Sequence, residues 1–215
     1  PVLAILEWME RLAPELGEQQ LVTDVGSTKA RLCAAAGPLY NRAGRAAFLP
    51  GHPMAGRELS GATQATAGLF EGAMWLWTPV GAETGASRQW RAWVARMGCR
   101  TLDLDPNQHD ELVAWASHLP QFLATALAAT LEDEFGASAE ARGQLRAIGG
   151  RAMREMTRLG ASPFSMWRDI AHTNAAPIAA TLEALEQRLA TLRQSLRQPE
   201  LRQEFERANQ FRKLL

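Results

Sequence analysis

One change of rhythm divides this chain of 215 residues. Up to Asp105-Pro106, short runs of strand character alternate with longer segments of helical periodicity; beyond that point only helical periodicity remains. Alternating strands and helices predict a largely parallel sheet with helical crossovers, and the continuous helical pattern predicts an all-helical second part. The fold class is therefore α/β followed by all-α, divided into 1-105 and 106-215. In the first part Val2 to Leu16 reads as a helix with Leu3, Leu6, Met9, Leu12 and Leu16 on one stripe. Leu21 to Asp24, Ala46 to Leu49, Met74 to Thr78 and Arg100 to Leu104 read as strands, and Thr28 to Ala36 and Ser87 to Met97 as helices. Ser27 stands where a helix N-cap belongs.

In the second part His109 to Glu132 is apolar and interrupted by Pro120, which predicts a buried helix bent there. Further helices are expected over Ser138 to Ile148, Pro163 to Asn174 and Pro177 to Arg197, with a charged one from Glu200 to Leu215. Ile178, Leu182, Leu185, Leu189, Leu192 and Leu196 form an a/d seam. Such a seam packs either inside its own subunit or against a second one. The formal net charge is zero, so no global field favours nucleic acid or an anionic membrane. No uninterrupted apolar run approaches the roughly 20 residues that span a bilayer. Cys33 and Cys99 lack CxxC spacing and read as reduced structural thiols; with no signal-peptide pattern, a cytoplasmic protein is expected.

The chemistry concentrates between Thr23 and Glu58. Asp24-Val25-Gly26-Ser27-Thr28-Lys29 and Gly51-His52-Pro53-Met54-Ala55-Gly56-Arg57-Glu58 each follow a strand-like run. Ligands of open α/β sheets bind beyond the carboxyl ends of the strands, so a hydroxyl, a histidine and a glutamate are brought toward one crevice. His52, His109, His118 and His172 have no metal-ligand spacing, and no metal site is expected. The glycine-rich GxGxxG turn that opens a dinucleotide-binding fold is missing, so the first part has the pattern of only the second half of one.

These stretches, with Leu69-Phe70-Glu71-Gly72, His109-Asp110, Ser117-His118-Leu119-Pro120, Thr157-Arg158, Ser162-Pro163, Met166-Trp167-Arg168-Asp169-Ile170 and Asn174, resemble the prephenate and arogenate dehydrogenases of tyrosine biosynthesis. The resemblance covers essentially the whole chain. It implies that 1-105 is the C-terminal part of a Rossmann-type dinucleotide-binding domain, with Pro1 just after the family's fourth strand. It implies that 106-215 is a helical substrate-binding and dimerisation domain. The implied activity is NAD- or NADP-dependent oxidative decarboxylation of prephenate or arogenate by a homodimer, with no nucleic-acid or membrane partner. A hydride leaves C4 of the substrate ring, the C4 hydroxyl becomes a carbonyl, and carbon dioxide leaves C1.

By the same resemblance His52 is the hydrogen-bond acceptor for the C4 hydroxyl, and Ser27 is its partner near the nicotinamide. Ser27 is equally a plain N-cap, and both roles are compatible. Asp24 and Gly26 join Ser27 on the cofactor side. Arg158 is the candidate for a substrate carboxylate, which a guanidinium matches bidentately. Glu58, His109, Ser117, Gln121 and Trp167 complete the substrate side, with Trp167 either closing the pocket or simply core. His118 is either a ligand group or a hydrogen-bonded core histidine. Gln121 stands where many members have histidine, and Glu155 where an aspartate is usual. Without the glycine-rich half the chain is expected to bind NAD(P) weakly and turn over little. The competing expectation is a non-catalytic binding or dimerisation module.

Overall fold

The computed structural model describes residues 1–56, 61, 63 and 65–214. Four strands form one sheet in chain order: β1 (Leu21–Asp24), β2 (Ala47–Pro53), β3 (Met74–Trp77) and β4 (Arg100–Asp103). The sheet is mixed rather than largely parallel. β1 and β2 are parallel, as are β3 and β4, but β2 and β3 run antiparallel. The expectation failed because the segment between β2 and β3 contains no crossover helix among the described residues, so nothing returns the chain to the same end of the sheet.

β2 changes partners along its length. Ala47 to Pro50 pair with β1, whereas Gly51 to Pro53 pair with β3. Asp24, the last residue of β1, is level with Pro50. His52 therefore stands two residues past the end of β1, about 6–7 Å at the rise of a strand. Gly51 permits the switch: a Cβ there would lie 2.5 Å from Trp75 Nε1.

Helix α1 (Val2–Leu12) and helix α2 (Ala30–Leu39) cover one face of the sheet. Val2, Met9, Leu32, Ala36, Tyr40 and Phe48 form that core, and the Tyr40 hydroxyl donates to Met9 O at 2.7 Å. Helix α3 (Gly85–Arg96) covers the other face, where Leu49, Trp75, Trp77 and Val94 pack together. Neighbouring Phe48 and Leu49 thus serve opposite cores, as strand alternation requires. Cys33 and Cys99 are free thiols, and burial raises the Cys33 pKa to about 11, leaving it unreactive.

From Pro106 the described chain is helical. Helix α4 (Pro106–Val113), a π-helical turn (Ala114–His118) and helix α5 (Leu119–Phe135) make one continuous rod of 30 residues. Asp105 caps it, accepting the amides of Asn107 and Gln108. The π-turn lies immediately before α5, of which Pro120 is the second residue. By length and composition the rod is apolar enough to cross a bilayer. Its buried face nevertheless carries His109, Asp110, His118 and Gln121, all bonded to other parts of the chain.

Helices α6 (Ala139–Ile148), α7 (Arg151–Thr157), a 3-10 turn (Arg158–Ala161), α8 (Phe164–Thr173), α9 (Ala175–Ser195) and α10 (Glu200–Arg212) complete the chain. The a/d seam of α9 divides: Ile178 is buried, whereas Leu189 and Leu196 are exposed. Leu182, Leu185 and Leu192 are half-buried within the chain.

Candidate active site

A cleft of about 440 Å³ opens between the tips of β1 and β2 on one side and α5, the 3-10 turn and α8 on the other. The strand side supplies Val25, Ser27 and His52. The helical side supplies Ser117, His118, Gln121, Arg158 and Trp167. Six residues expected at the site thus share one cleft: Ser27, His52, Ser117, Gln121, Arg158 and Trp167. Glu58 lies outside the described residues. His109, Asp24 and Gly26 do not line the cleft but stand behind it.

His109 is fully buried and supports His52 instead of facing a ligand. His52 Nδ1 lies 2.9 Å from His109 Nε2, and His109 Nδ1 lies 2.8 Å from Asp110 Oδ1. Asp110 is anchored in turn by the N-terminus of α2: the Lys29 amide donates to Oδ1 at 2.7 Å and the Ala30 amide to Oδ2 at 3.0 Å. This corrects the expectation for Ser27. The helix starts three residues after it, and a carboxylate from α4 closes the helix end, leaving the Ser27 hydroxyl at the cleft.

Asp24 folds back on its own loop. Its Oδ1 accepts the Gly26 amide at 2.7 Å and pairs with the Lys29 ammonium, which is fully buried. Burial lowers the Lys29 pKa, and Asp24 opposes that shift. Gly26 sits in a tight place: a Cβ would meet Asp24 Oδ1 and Ile5 Cδ1 at 3.0 Å. Asp24, Gly26 and Lys29 therefore shape the loop that carries Ser27.

On the helical side His118 is buried and also lines the cleft. Asn174 Nδ2 donates to Asp110 O at 2.8 Å and lies 3.2 Å from His118 Nδ1. The His118 and Trp167 rings meet edge-on, with centroids 5.7 Å apart at 88°. Trp167 Nε1 is buried with no partner among the described residues. Gln121 donates from Nε2 to Leu159 O at 2.7 Å and Thr125 Oγ1 at 3.2 Å, and accepts from Ser162 at Oε1. Both of its N–H groups are spent within the protein, so it offers the cleft an acceptor only. Burial first, with His109, Lys29 and His118 adding to it, holds the His52 pKa well below the ordinary value. Burial likewise brings His118 to about 4, with Asp110 opposing and His109 assisting. Both rings are neutral at pH 7.

Sequence reading assigned no role to Asp110, Lys29 or Asn174, which hold the site together without touching the cleft. It also left out Met54, Ser162 and Met166, which do line it. Asp110 and Asn174 belong to the family-like stretches, and that was their only signal.

Two family models match this chain. Residues 1–100 match the nucleotide-binding domain of prephenate dehydrogenase, and residues 105–213 match its dimerization domain. The chain belongs to the prephenate dehydrogenase family. It is 32% identical over 173 residues to the prephenate dehydrogenase of Bacillus subtilis, an alignment covering 79% of this chain and 45% of that protein. Among solved structures it resembles the Aquifex aeolicus prephenate dehydrogenase in complex with hydroxyphenyl propionate and NAD+, with a TM-score of 0.79 and 29% identity. That match covers 99% of this chain and 71% of the other. The Synechocystis arogenate dehydrogenase gives a TM-score of 0.78 and 27% identity, over 99% and 76% of the two chains. The family member described here spans about half the length of the curated relatives it matches.

Proposed function

We propose that this chain supplies the substrate cleft and hydride-transfer corner of a cytoplasmic NAD(P)-dependent dehydrogenase that oxidatively decarboxylates prephenate or arogenate. The observation that carries the reading is His52, a neutral, buried imidazole whose Nδ1 is engaged by His109, leaving Nε2 to the cleft beside Ser27. The tips of β1 and β2 fit the nicotinamide end of the cofactor, with Val25 and Ser27 as its neighbours. When bound, the nicotinamide supplies the acceptor for a hydride.

The chain's own residues do the rest. His52 Nε2 accepts a hydrogen bond from the C4 hydroxyl, and that bond strengthens as hydride loss makes the oxygen more acidic. The hydroxyl proton passes to Nε2 as the C4 carbonyl forms. The bond from C1 to the carboxylate then breaks, its electron pair enters the ring, and the proton returns to the same oxygen as the ring becomes a phenol. His52 thus only borrows a proton, a role suited to a weakly basic imidazole. Ser27 orients the ring or the substrate oxygen, and Arg158 takes a substrate carboxylate from the opposite wall. The exposed seam residues Leu189 and Leu196, with the match to a dimerization domain, support a homodimer through the helical half.

The test is His52→Asn in the full-length gene product. Turnover should fall by about 10²–10⁴, the usual worth of a general base, while substrate affinity stays within a few-fold. Turnover that survives the substitution overturns the assignment.

A further inference from the structure

The two cleft histidines hang from one point of the fold. The Asp110 carboxylate already accepts amide N–H groups on both oxygens, so it takes the Nδ1–H of His109. A His109 ring with its one hydrogen on Nδ1 has a bare Nε2, which leaves His52 Nδ1 as the donor across the 2.9 Å contact. His52 is left with a lone pair on Nε2. At His118 the order is reversed. The Asn174 amide is oriented by the Asp110 carbonyl, which can only accept, so its Nδ2 also presents N–H to His118 Nδ1. Nδ1 is therefore the acceptor and Nε2 carries the hydrogen. Among the described residues neither Nε2 has a hydrogen-bond partner, and both histidines line the cleft.

We infer that Asp110 and Asn174 act as one positioning device that fixes the cleft histidines in opposite tautomers, His52 as acceptor and His118 as donor. His52 meets the reacting hydroxyl; His118 donates to a carboxylate oxygen of the same substrate. The strand wall of the cleft thus offers an acceptor, while the helical wall carries His118 and the Arg158 guanidinium as donors beside the Gln121 acceptor. A neutral donor also holds an anion without placing a second positive charge beside His52. The naming of the two ligand groups rests on the function proposed above. The tautomers do not.

The chain has only four histidines, so multiple-bond proton–nitrogen correlation spectra of the 15N-labelled protein at pH 7 resolve each ring. His52→Asn, His118→Asn and His172→Asn assign the signals. The expected pattern is Nδ1–H for His52 and His109 and Nε2–H for His118. An Nε2–H at His52, an Nδ1–H at His118, or an imidazolium at His52 or His109 overturns the inference. Asn174→Asp replaces the donor facing His118 by an acceptor. It should convert His118 to Nδ1–H with the His52 pattern unchanged, and raise the substrate KM of the full-length enzyme about tenfold, the worth of one charge-assisted hydrogen bond. An unaltered His118 tautomer in that variant also overturns it. The arms separate from the functional reading: surviving turnover in His52→Asn strikes the reaction and leaves the tautomers standing. Wrong tautomers with intact dependence on His52 strike this inference alone.

Discussion

Replacing Lys29 by methionine tests how the loop carrying Ser27 is built. The Lys29 side chain is fully buried, and its ammonium pairs with Asp24 Oδ1. Methionine preserves most of the volume and removes the charge. Asp24 then keeps only the Gly26 amide on Oδ1, while its Oδ2 is already buried without a partner. Stranding one member of a buried pair costs about 3–5 kcal/mol. The expected loss is therefore about 4 kcal/mol at pH 7. Urea unfolding followed by tryptophan fluorescence should show the midpoint falling by about 2 M at pH 7, given a slope near 2 kcal/mol/M. Adding Asp24→Asn, which keeps an acceptor for Gly26, should restore most of the loss. A single-variant loss under about 1 kcal/mol at pH 7, or a double variant no better than the single, refutes the reasoning.

The neutral histidines make the fold acid-sensitive. Unfolded histidine titrates near 6.5, folded His118 near 4, so below pH 6.5 the unfolded chain binds more protons and stability falls as pH drops. The loss reaches about 3 kcal/mol by pH 4, with His52 adding in the same direction. Urea midpoints at pH 7, 5.5 and 4.5 should show the decline and His118→Asn should flatten it; a flat wild-type profile contradicts the burial argument. A third expectation concerns the cofactor. The N-terminus of α1 is closed by Asp169, which accepts the Leu3 amide at 3.2 Å, and that of α2 by Asp110. Neither helix end can seat a pyrophosphate. Calorimetric titration of this 215-residue chain with NAD+ or NADP+ should therefore show no saturation below roughly millimolar concentration, and a micromolar Kd would refute that.

What sequence reading found and missed follows the range of the forces involved. The strands at Leu21, Ala47, Met74 and Arg100 and most helix bounds lie within a few residues of expectation, because periodicity and Pro or Gly punctuation are local signals. The polar tips at Ser27 and His52 were legible for the same reason. The antiparallel β2–β3 pair was not, since the direction of a strand depends on what connects it. Nor could local pattern show that Asp110, 80 positions from Ala30, replaces Ser27 as the cap of α2.

The placement of His118 shows the limit most clearly. His109 and His118 are nine residues apart, two and a half turns of a regular α-helix, which would set them on opposite faces. In the structure both join one network, His109 through the Asp110 side chain and His118 through Asn174 to the Asp110 carbonyl. The π-turn at Ala114–His118 makes this possible by inserting about one extra residue, which rotates the later turns back toward the cleft. Periodicity scored at 3.6 residues per turn would exclude the pairing on which both histidine tautomers depend. The single irregular turn in this helix therefore carries as much of the site's design as the histidines themselves.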